Sequence, residues 1–185
     1  NDLGIVCALG IGRDSVADAL FATDAPRGVA VSEALTPGRP LALGRVLAGL
    51  PLLDDVPGAL RGRNKALLRL ALAQIRPAVD AAISRHGAHR IGIVLGTSTS
   101  GVGESEVAQR HYEQHGHWPA GFHYSQQEMG TPARFLAHEL GTTGPAHVVS
   151  TACSSSTKSL AAGARLIAAG FADAVVVGGA DSLCA

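Results

Sequence analysis

The sequence predicts an α/β fold in which a mostly parallel sheet carries helices on both faces. Short apolar runs over residues 91–95, 147–151 and 174–179 have the length and composition of buried strands, and helical patterns separate them. The composition fits, because glycine is abundant and aromatic residues make up only 4% of the chain. The 185 residues are enough for one domain with its own core.

The first third of the chain is less regular than the rest. A strand is predicted over residues 3–8 and a helix over residues 13–22. The apolar positions that would share one face of this helix are Val16, Ala17, Leu20 and Phe21. Residues 24–60 are rich in proline and glycine, which predicts an irregular excursion.

From residue 63 onward, helices and strands alternate. Helices are predicted over residues 63–86, 103–115 and 132–140, and again in the alanine-rich run that follows Ser159. Pro77 could kink the first of these helices. Thr131 is a candidate N-cap of the third and Gly141 its end, while Gly170 closes the last one.

Cys153 is the predicted nucleophile. An apolar strand leads into it and a small-residue helix follows, so the thiol should lie at a helix N-terminus. There the free backbone N–H groups and the helix dipole favour the thiolate, which is the form that attacks carbonyls. Cys7 and Cys184 lie in or beside apolar strands with no helix directly after them, which predicts small core residues. The odd number of cysteines, with no signal peptide in view, favours reduced thiols and a cytoplasmic protein.

Four segments together resemble a known family. They are residues 151–155 (Thr-Ala-Cys-Ser-Ser), the strand-containing run 172–182, and the glycine-containing turns at 4–10 and 93–101. The chain resembles the N-terminal half of a β-ketoacyl-acyl carrier protein synthase, an elongating condensing enzyme of the thiolase-like superfamily. The resemblance implies a thiolase-like half-domain over residues 1–185, with a helix buried after the nucleophile.

The resemblance also implies an activity. An acyl group held on Cys153 would condense with malonyl-acyl carrier protein in a decarboxylative Claisen reaction, as in fatty-acid or polyketide-type chain elongation. In the family the backbone N–H of Cys153 would be one of two oxyanion donors. Two histidines complete such a site from the C-terminal half, whereas the eight histidines here all precede Cys153. The chain is therefore expected to lack that half and to be incompetent alone, and no cofactor or metal is implied.

Partners follow from the same resemblance. Related synthases dock the acidic acyl carrier protein on a basic patch, and the candidates here are Arg61, Arg63, Lys65 and Arg69. A solvated helix end is the ordinary explanation of such a run. Strand 147–151 would pair antiparallel with its mate in a homodimer or a ketosynthase-like heterodimer, and segment 117–124 would lie near that interface. A non-catalytic subunit that pairs with an active synthase is the alternative, and the presence of Cys153 argues against it.

Other functions are less well supported by the sequence. The formal net charge is zero, which does not favour nucleic acid as a partner, and no apolar run is long enough to insert into a membrane. The turn at residues 96–103 could cradle a mononucleotide phosphate, but it lacks the Gly-Lys-Ser/Thr signature and fits a tight strand-to-helix turn. Zinc at His111, His115, His117 and His123 is a further alternative to an exposed histidine-rich segment.

Overall fold

The computed structural model describes residues 2–24 and 27–184, and this part of the chain contains seven strands and five helices. The strands are β1 (Val6–Cys7), β2 (Gly10–Ile11), β3 (Val29–Ser32), β4 (Leu41–Gly44), β5 (Ile91–Gly96), β6 (Ala146–Val149) and β7 (Ala174–Gly179). The helices are α1 (Arg13–Leu20), α2 (Arg63–His86), α3 (Val102–His115), α4 (Thr131–Leu140) and α5 (Ser155–Ala168). Single 3₁₀ turns occur at Gly58–Leu60, Ala88–Arg90 and Tyr124–Gln127.

The N-terminal strand is shorter than predicted. Of the predicted strand 3–8, only Val6 and Cys7 form a strand, which is β1. β1 pairs antiparallel with β2 and does not join the central sheet. Gln74 of α2 holds this segment by exchanging two hydrogen bonds of 3.1 Å with the backbone of Ile5. Of the four apolar positions predicted to share one face of α1, Val16 is buried, while Leu20 and Phe21 are 61% and 78% exposed. The helix ends at Leu20, two residues before the predicted end.

The stretch predicted to be irregular contains a hairpin. β3 and β4 pair antiparallel, with Val29 opposite Gly44 and Ser32 opposite Leu41. Three of the residues that predicted irregularity, Pro37, Gly38 and Pro40, lie in the loop between these strands, which is where turn residues belong in a hairpin. Further along, Leu53 contributes to the buried core. Residues 25 and 26 lie outside the described part of the chain.

The central sheet has three parallel strands in the order β6–β5–β7. Successive residues of β5 point to opposite faces. Ile93 and Leu95 enter the apolar core with Phe135 of α4 and Leu72 of α2, while the face carrying Gly96 packs against α5. Helices therefore cover both faces of a parallel sheet, which confirms the predicted fold class.

Helix α5 approaches the sheet closely. It begins at Ser155, five residues before the alanine-rich run in which the helix was predicted, and turns Ser159 and Gly163 inward. A Cβ on Gly163 would lie 2.4 Å from Cγ1 of Val177, so this position requires glycine for close packing. Gly170 follows the helix with φ near +73°, as predicted for a helix end.

The ends of α4 and the proline within α2 can be compared with the predictions. Helix α2 continues through Pro77. Thr131 is not an N-cap, because it is the first helical residue and its hydroxyl instead donates to the carbonyl of Ser125 at 2.6 Å. Gly141 ends α4 with φ near +62°, as predicted. None of the helices described is both long and apolar enough to cross a membrane.

Candidate active site

Cys153 lies in the tight turn between β6 and α5. It stands two residues before the first residue of α5 and is exposed. The preceding residue, Ala152, has φ near +52°, a left-handed conformation that residues with a Cβ rarely adopt. Such strain persists only where the surrounding structure holds it, and it is concentrated at functional sites. The turn therefore presents Cys153 to solvent at the start of a helix, as the sequence predicted.

Ser155 holds this turn closed. Its hydroxyl accepts a hydrogen bond from the backbone N–H of Thr151 at 2.8 Å and donates to the carbonyl of Ala152 at 2.6 Å. Ser154 adds a hydroxyl donation to the carbonyl of Thr151 at 2.9 Å. Ser155 is 2% exposed, so its own two hydrogen bonds are partly shielded from water, whereas the bond from Ser154 is exposed. No structural role was predicted for Ser155, although the run of serines after the cysteine is visible in the sequence.

The first turn of α5 rests on two glycines at the carboxyl ends of neighbouring strands. A Cβ on Gly96 of β5 would lie 2.4 Å from the carbonyl carbon of Ser155, and one on Gly179 of β7 would lie 2.1 Å from Oγ of Ser156. We call Gly96 and Gly179 the glycine floor. Because nothing separates this floor from the helix, the position of the strand ends sets the position of the turn that carries Cys153. Ligands bind at this edge of parallel sheets.

Asp181 binds the turn that follows β5. Its Oδ1 accepts hydrogen bonds from Oγ1 of Thr97 at 2.7 Å, from N of Ser98 at 2.8 Å, and from N and Oγ1 of Thr99 at 3.0 and 2.9 Å. Partial burial acts to raise the pKa of Asp181, but these hydrogen bonds outweigh it and hold the pKa below its ordinary value. Asp181 was not predicted as a site residue. Its signal was a carboxylate placed just beyond a buried strand.

This carboxylate also bears on the mononucleotide alternative. A phosphate cradle needs free backbone N–H groups in the turn after the strand. Two of those in the turn after β5, at Ser98 and Thr99, already donate to Asp181. The turn is thus occupied by an anion of the chain itself, and the structure does not support a phosphate site there.

The other two cysteines differ from Cys153. Cys7 lies in β1, and both Cys7 and Cys184 are partly buried. Burial raises the pKa of the Cys184 thiol, and the negative charges of Glu106 and Asp181 raise it further. A raised pKa leaves less of the reactive thiolate at neutral pH. Of the three cysteines, Cys153 is the one whose side chain is exposed to solvent.

Two of the four predicted docking cations are not available to a partner. Lys65 is fully buried, and its Nζ donates to the carbonyl of Gln126 at 2.6 Å. Burial lowers the pKa of Lys65 to about 8, although Glu104 acts in the opposite direction. Arg69 is neutralised by Asp55 and Glu139, at 2.8 and 2.6 Å. Positions 65 and 69 are one helical turn apart, so both face inward when α2 packs.

Arg61 and Arg63 remain accessible. The Arg61 side chain is 42% exposed, and its nearest carboxylate is that of Asp54 at 3.6 Å. Arg63 is exposed, and its Nη2 donates to the carbonyl of Val46 at 3.2 Å. The basic patch available to a partner is thus narrower than the sequence predicted.

The histidine-rich segment does not form a metal centre. The rings of His111 and His115 lie 4.4 Å apart and those of His111 and His117 lie 5.0 Å apart. Across residues 2–24 and 27–184, no group of three or more His, Cys, Asp or Glu side chains is arranged to hold a metal ion. Trp118 stacks between Tyr112 and Phe122 and is 48% exposed. Whether segment 117–124 lines a dimer interface stays a prediction.

With this geometry in place, comparison with known proteins is informative. Residues 63–185 match the family described as "Beta-ketoacyl synthase, N-terminal domain". The chain belongs to the beta-ketoacyl synthase family. Among curated proteins, no sequence matches it significantly.

Solved structures agree with this membership. The chain is similar to a chain of the ketosynthase (ApeO) in complex with its chain length factor (ApeC) from Xenorhabdus doucetiae, with 45% identity over 100% of this chain and 47% of that one, and a TM-score of 0.89. The ishigamide ketosynthase/chain length factor shares 21% identity over 98% of this chain and 46% of that one, with a TM-score of 0.75. A beta-ketoacyl synthase from Burkholderia phymatum STM815 shares 22% identity over 92% of this chain and 43% of that one, with a TM-score of 0.69. The last two show the fold alone.

The synthase segment therefore has the thiolase-like α/β fold that the sequence predicted. It spans about half the length of these three structures, between 43% and 47% of each. These matches confirm the predicted resemblance to the N-terminal half of a ketoacyl synthase.

Proposed function

We propose that the whole protein containing this segment is a β-ketoacyl-acyl carrier protein synthase, and that Cys153 is its nucleophile. One observation carries the proposal. An exposed cysteine stands at the start of α5, in a turn closed by the buried hydroxyl of Ser155 and strained at Ala152. Held in this way, the Cys153 sulfur is positioned for attack on an acyl carbonyl without rearrangement of its turn.

The reaction has two halves. The Cys153 thiolate attacks the carbonyl carbon of an acyl-carrier thioester, the carrier thiolate leaves, and the acyl group becomes a thioester of Cys153. Malonyl-carrier protein then loses carbon dioxide, and its carbanion attacks this new thioester. A carbon–carbon bond forms and Cys153 leaves as the thiolate. The Cys153 backbone N–H would stabilise the oxyanion of both additions. The histidines that support decarboxylation would come from the C-terminal half.

We propose that the protein acts in acyl-chain elongation, of either the fatty-acid or the polyketide type. The 45% identical chain comes from a complex of a ketosynthase with its chain length factor. Both a homodimer and a ketosynthase-like heterodimer are therefore part of the proposal for this protein. The non-catalytic alternative is disfavoured because a subunit without chemistry has no need of an exposed cysteine in a strained turn. A cytoplasmic location is part of the proposal, and cell fractionation tests it.

Docking of the acyl carrier protein is proposed at Arg61 and Arg63. Arg63→Glu should raise KM for malonyl-carrier protein by about 3- to 10-fold with little change in kcat, because an exposed cation contributes mainly to encounter with an acidic partner. Arg76→Glu is the matched control, since Arg76 is an exposed cation on the same helix, one whose partner is Asp80 within that helix. Equal effects of the two reversals, or no effect of Arg63→Glu, would refute this docking site.

Dimerisation through β6 is the second proposed contact. β6 is an edge strand whose partner within the described chain is β5, and Ala146 and His147 are exposed. Exposed strand edges favour pairing with another chain. We expect light scattering on the full-length protein to give the mass of two chains. A monomer at micromolar concentration that still condenses substrates contradicts this proposal.

A further inference from the structure

Two aspartates hold β5 and β7 together, one at each end of the pair. At the amino ends, Asp173 accepts two hydrogen bonds from Arg90, at 2.8 Å from Nε and 2.9 Å from Nη2. At the carboxyl ends, Asp181 collects its four hydrogen bonds from residues 97–99. We call these the amino clamp and the carboxyl clamp. The two clamps join the same pair of strands, but the carboxyl clamp alone lies at the edge where Cys153 stands.

The carboxyl clamp is continuous with the glycine floor. Thr97 directly follows Gly96, and Asp181 lies two residues beyond Gly179. Gly179 comes so close to Gly96 that a Cβ on it would lie 2.7 Å from the Gly96 carbonyl oxygen. The clamp therefore closes the strand ends at the place where the first turn of α5 rests on them.

The clamp also fixes a strained turn. Oγ1 of Thr97 accepts the backbone N–H of Ser100 at 2.8 Å while donating to Asp181. Ser100 is fully buried and has φ near +43°. A non-glycine residue in this region needs surrounding contacts to stay there. Without the carboxylate, the hydroxyl of Thr97 loses the acceptor that orients it.

We propose that Asp181 is a positioning residue for Cys153: it holds the glycine floor in place, and through the first turn of α5 it fixes the thiol and the backbone N–H that receives the oxyanion. The inference rests on the proposed role of Cys153 as nucleophile. Asp181 does not touch the reacting atoms. Its effect should appear in reactions that need the oxyanion donor and the thiol aligned together, and not in simple alkylation of the thiol.

The variants follow from the hydrogen-bond geometry. All four bonds go to a single oxygen, Oδ1, so Asp181→Asn keeps a carbonyl oxygen where the acceptor is needed, whereas Asp181→Ala removes it. Asp173→Ala is the matched control, because it opens the amino clamp of the same two strands. Thr99→Val deletes one of the four donors and gives an intermediate case.

The experiment uses the full-length protein and two reagents. A p-nitrophenyl acyl ester acylates Cys153 with release of p-nitrophenolate, which requires alignment with the oxyanion donor but no carrier protein. Iodoacetamide alkylates the same thiol by displacing iodide, with no oxyanion. We expect Asp181→Ala to slow acylation by about 10-fold or more, since small misplacements at a reacting centre cost that much. Alkylation of Cys153, followed by peptide mass, should change less than about 2-fold by the same argument.

The controls decide between positioning and general damage. Asp181→Asn should recover most of the acylation rate, and the rate of Thr99→Val should lie between those of Asp181→Asn and Asp181→Ala. Asp173→Ala should be acylated at the rate of the unmodified protein, even if it melts at a lower temperature. Unchanged acylation in Asp181→Ala, parallel loss of acylation and alkylation, or equal loss in Asp173→Ala would overturn the proposal. If Asp181→Ala does not fold, a wild-type acylation rate in Thr99→Val overturns it instead. Because the ester needs no carrier, failure of the unmodified protein to condense carrier substrates would count against the proposed function alone.

Discussion

Cys153→Ala in the full-length protein is expected to abolish formation of the β-ketoacyl product, with a loss on the order of 10³-fold or more, as for removal of other enzymatic nucleophiles. The physical reason is that the acyl group would have no thiol to receive it. The fold should survive, because Cys153 is exposed and the hydrogen bonds of its turn come from Ser154 and Ser155. The measurement is product mass after incubation with acyl- and malonyl-carrier proteins.

The two remaining cysteines supply the control. Cys7→Ala and Cys184→Ala remove thiols that are partly buried, and Cys184 is further disfavoured by its raised pKa. Both variants should retain condensation to within a few-fold, provided that they fold. Retention of activity by Cys153→Ala, together with its loss in either control variant, would move the nucleophile elsewhere.

The second large effect concerns the segment alone. Residues 1–185 are expected to release no carbon dioxide from malonyl-carrier protein, because the family draws its decarboxylating histidines from the C-terminal half. The segment should also associate with that half or aggregate. The outer stripe of α5 and the residues after it is apolar and exposed, with Leu160, Ile167 and Phe171 at 56%, 47% and 63%.

Carbon dioxide release and product mass test this expectation, with the segment alone and after co-expression with the C-terminal half. Weak acylation of Cys153 can survive in the segment, because the hydrogen bonds that hold its turn come from the neighbouring Ser154 and Ser155. We expect co-expression with the C-terminal half to restore both carbon dioxide release and formation of the condensation product. Full condensation by the isolated segment would show that the decarboxylating groups are among the residues described above.

The central sheet was predictable because its signals are local. β5 is an unbroken apolar run that is buried at all six positions, and a residue pattern of this kind reports burial on both faces directly. The placement of Cys153 between a strand and a helix was predictable for the same reason, since both elements are adjacent to it in sequence. The hairpin of β3 and β4 was missed because its strands are short and largely exposed, which leaves little apolar periodicity to detect.

The supporting residues of the site depend on contacts between distant parts of the chain. Asp181 meets Thr97 across 84 positions, and Lys65 meets Gln126 across 61. A lysine near a helix start is expected to be solvated, but Lys65 is fully buried and its Nζ donates to the carbonyl of Gln126. Local sequence patterns do not indicate such long-range contacts. The predicted docking patch therefore included Lys65 and Arg69, which are not available to a partner, and the carboxyl clamp was not predicted.

The most direct test of the account is to locate the acyl group. The full-length protein is incubated with an acyl-carrier thioester in the absence of malonyl-carrier protein, digested, and its peptides are weighed by mass spectrometry. The account predicts the acyl mass on the peptide that contains Cys153, and its disappearance when malonyl-carrier protein is added. An acyl group on the peptide of Cys7 or Cys184, with Cys153 unmodified, would contradict it.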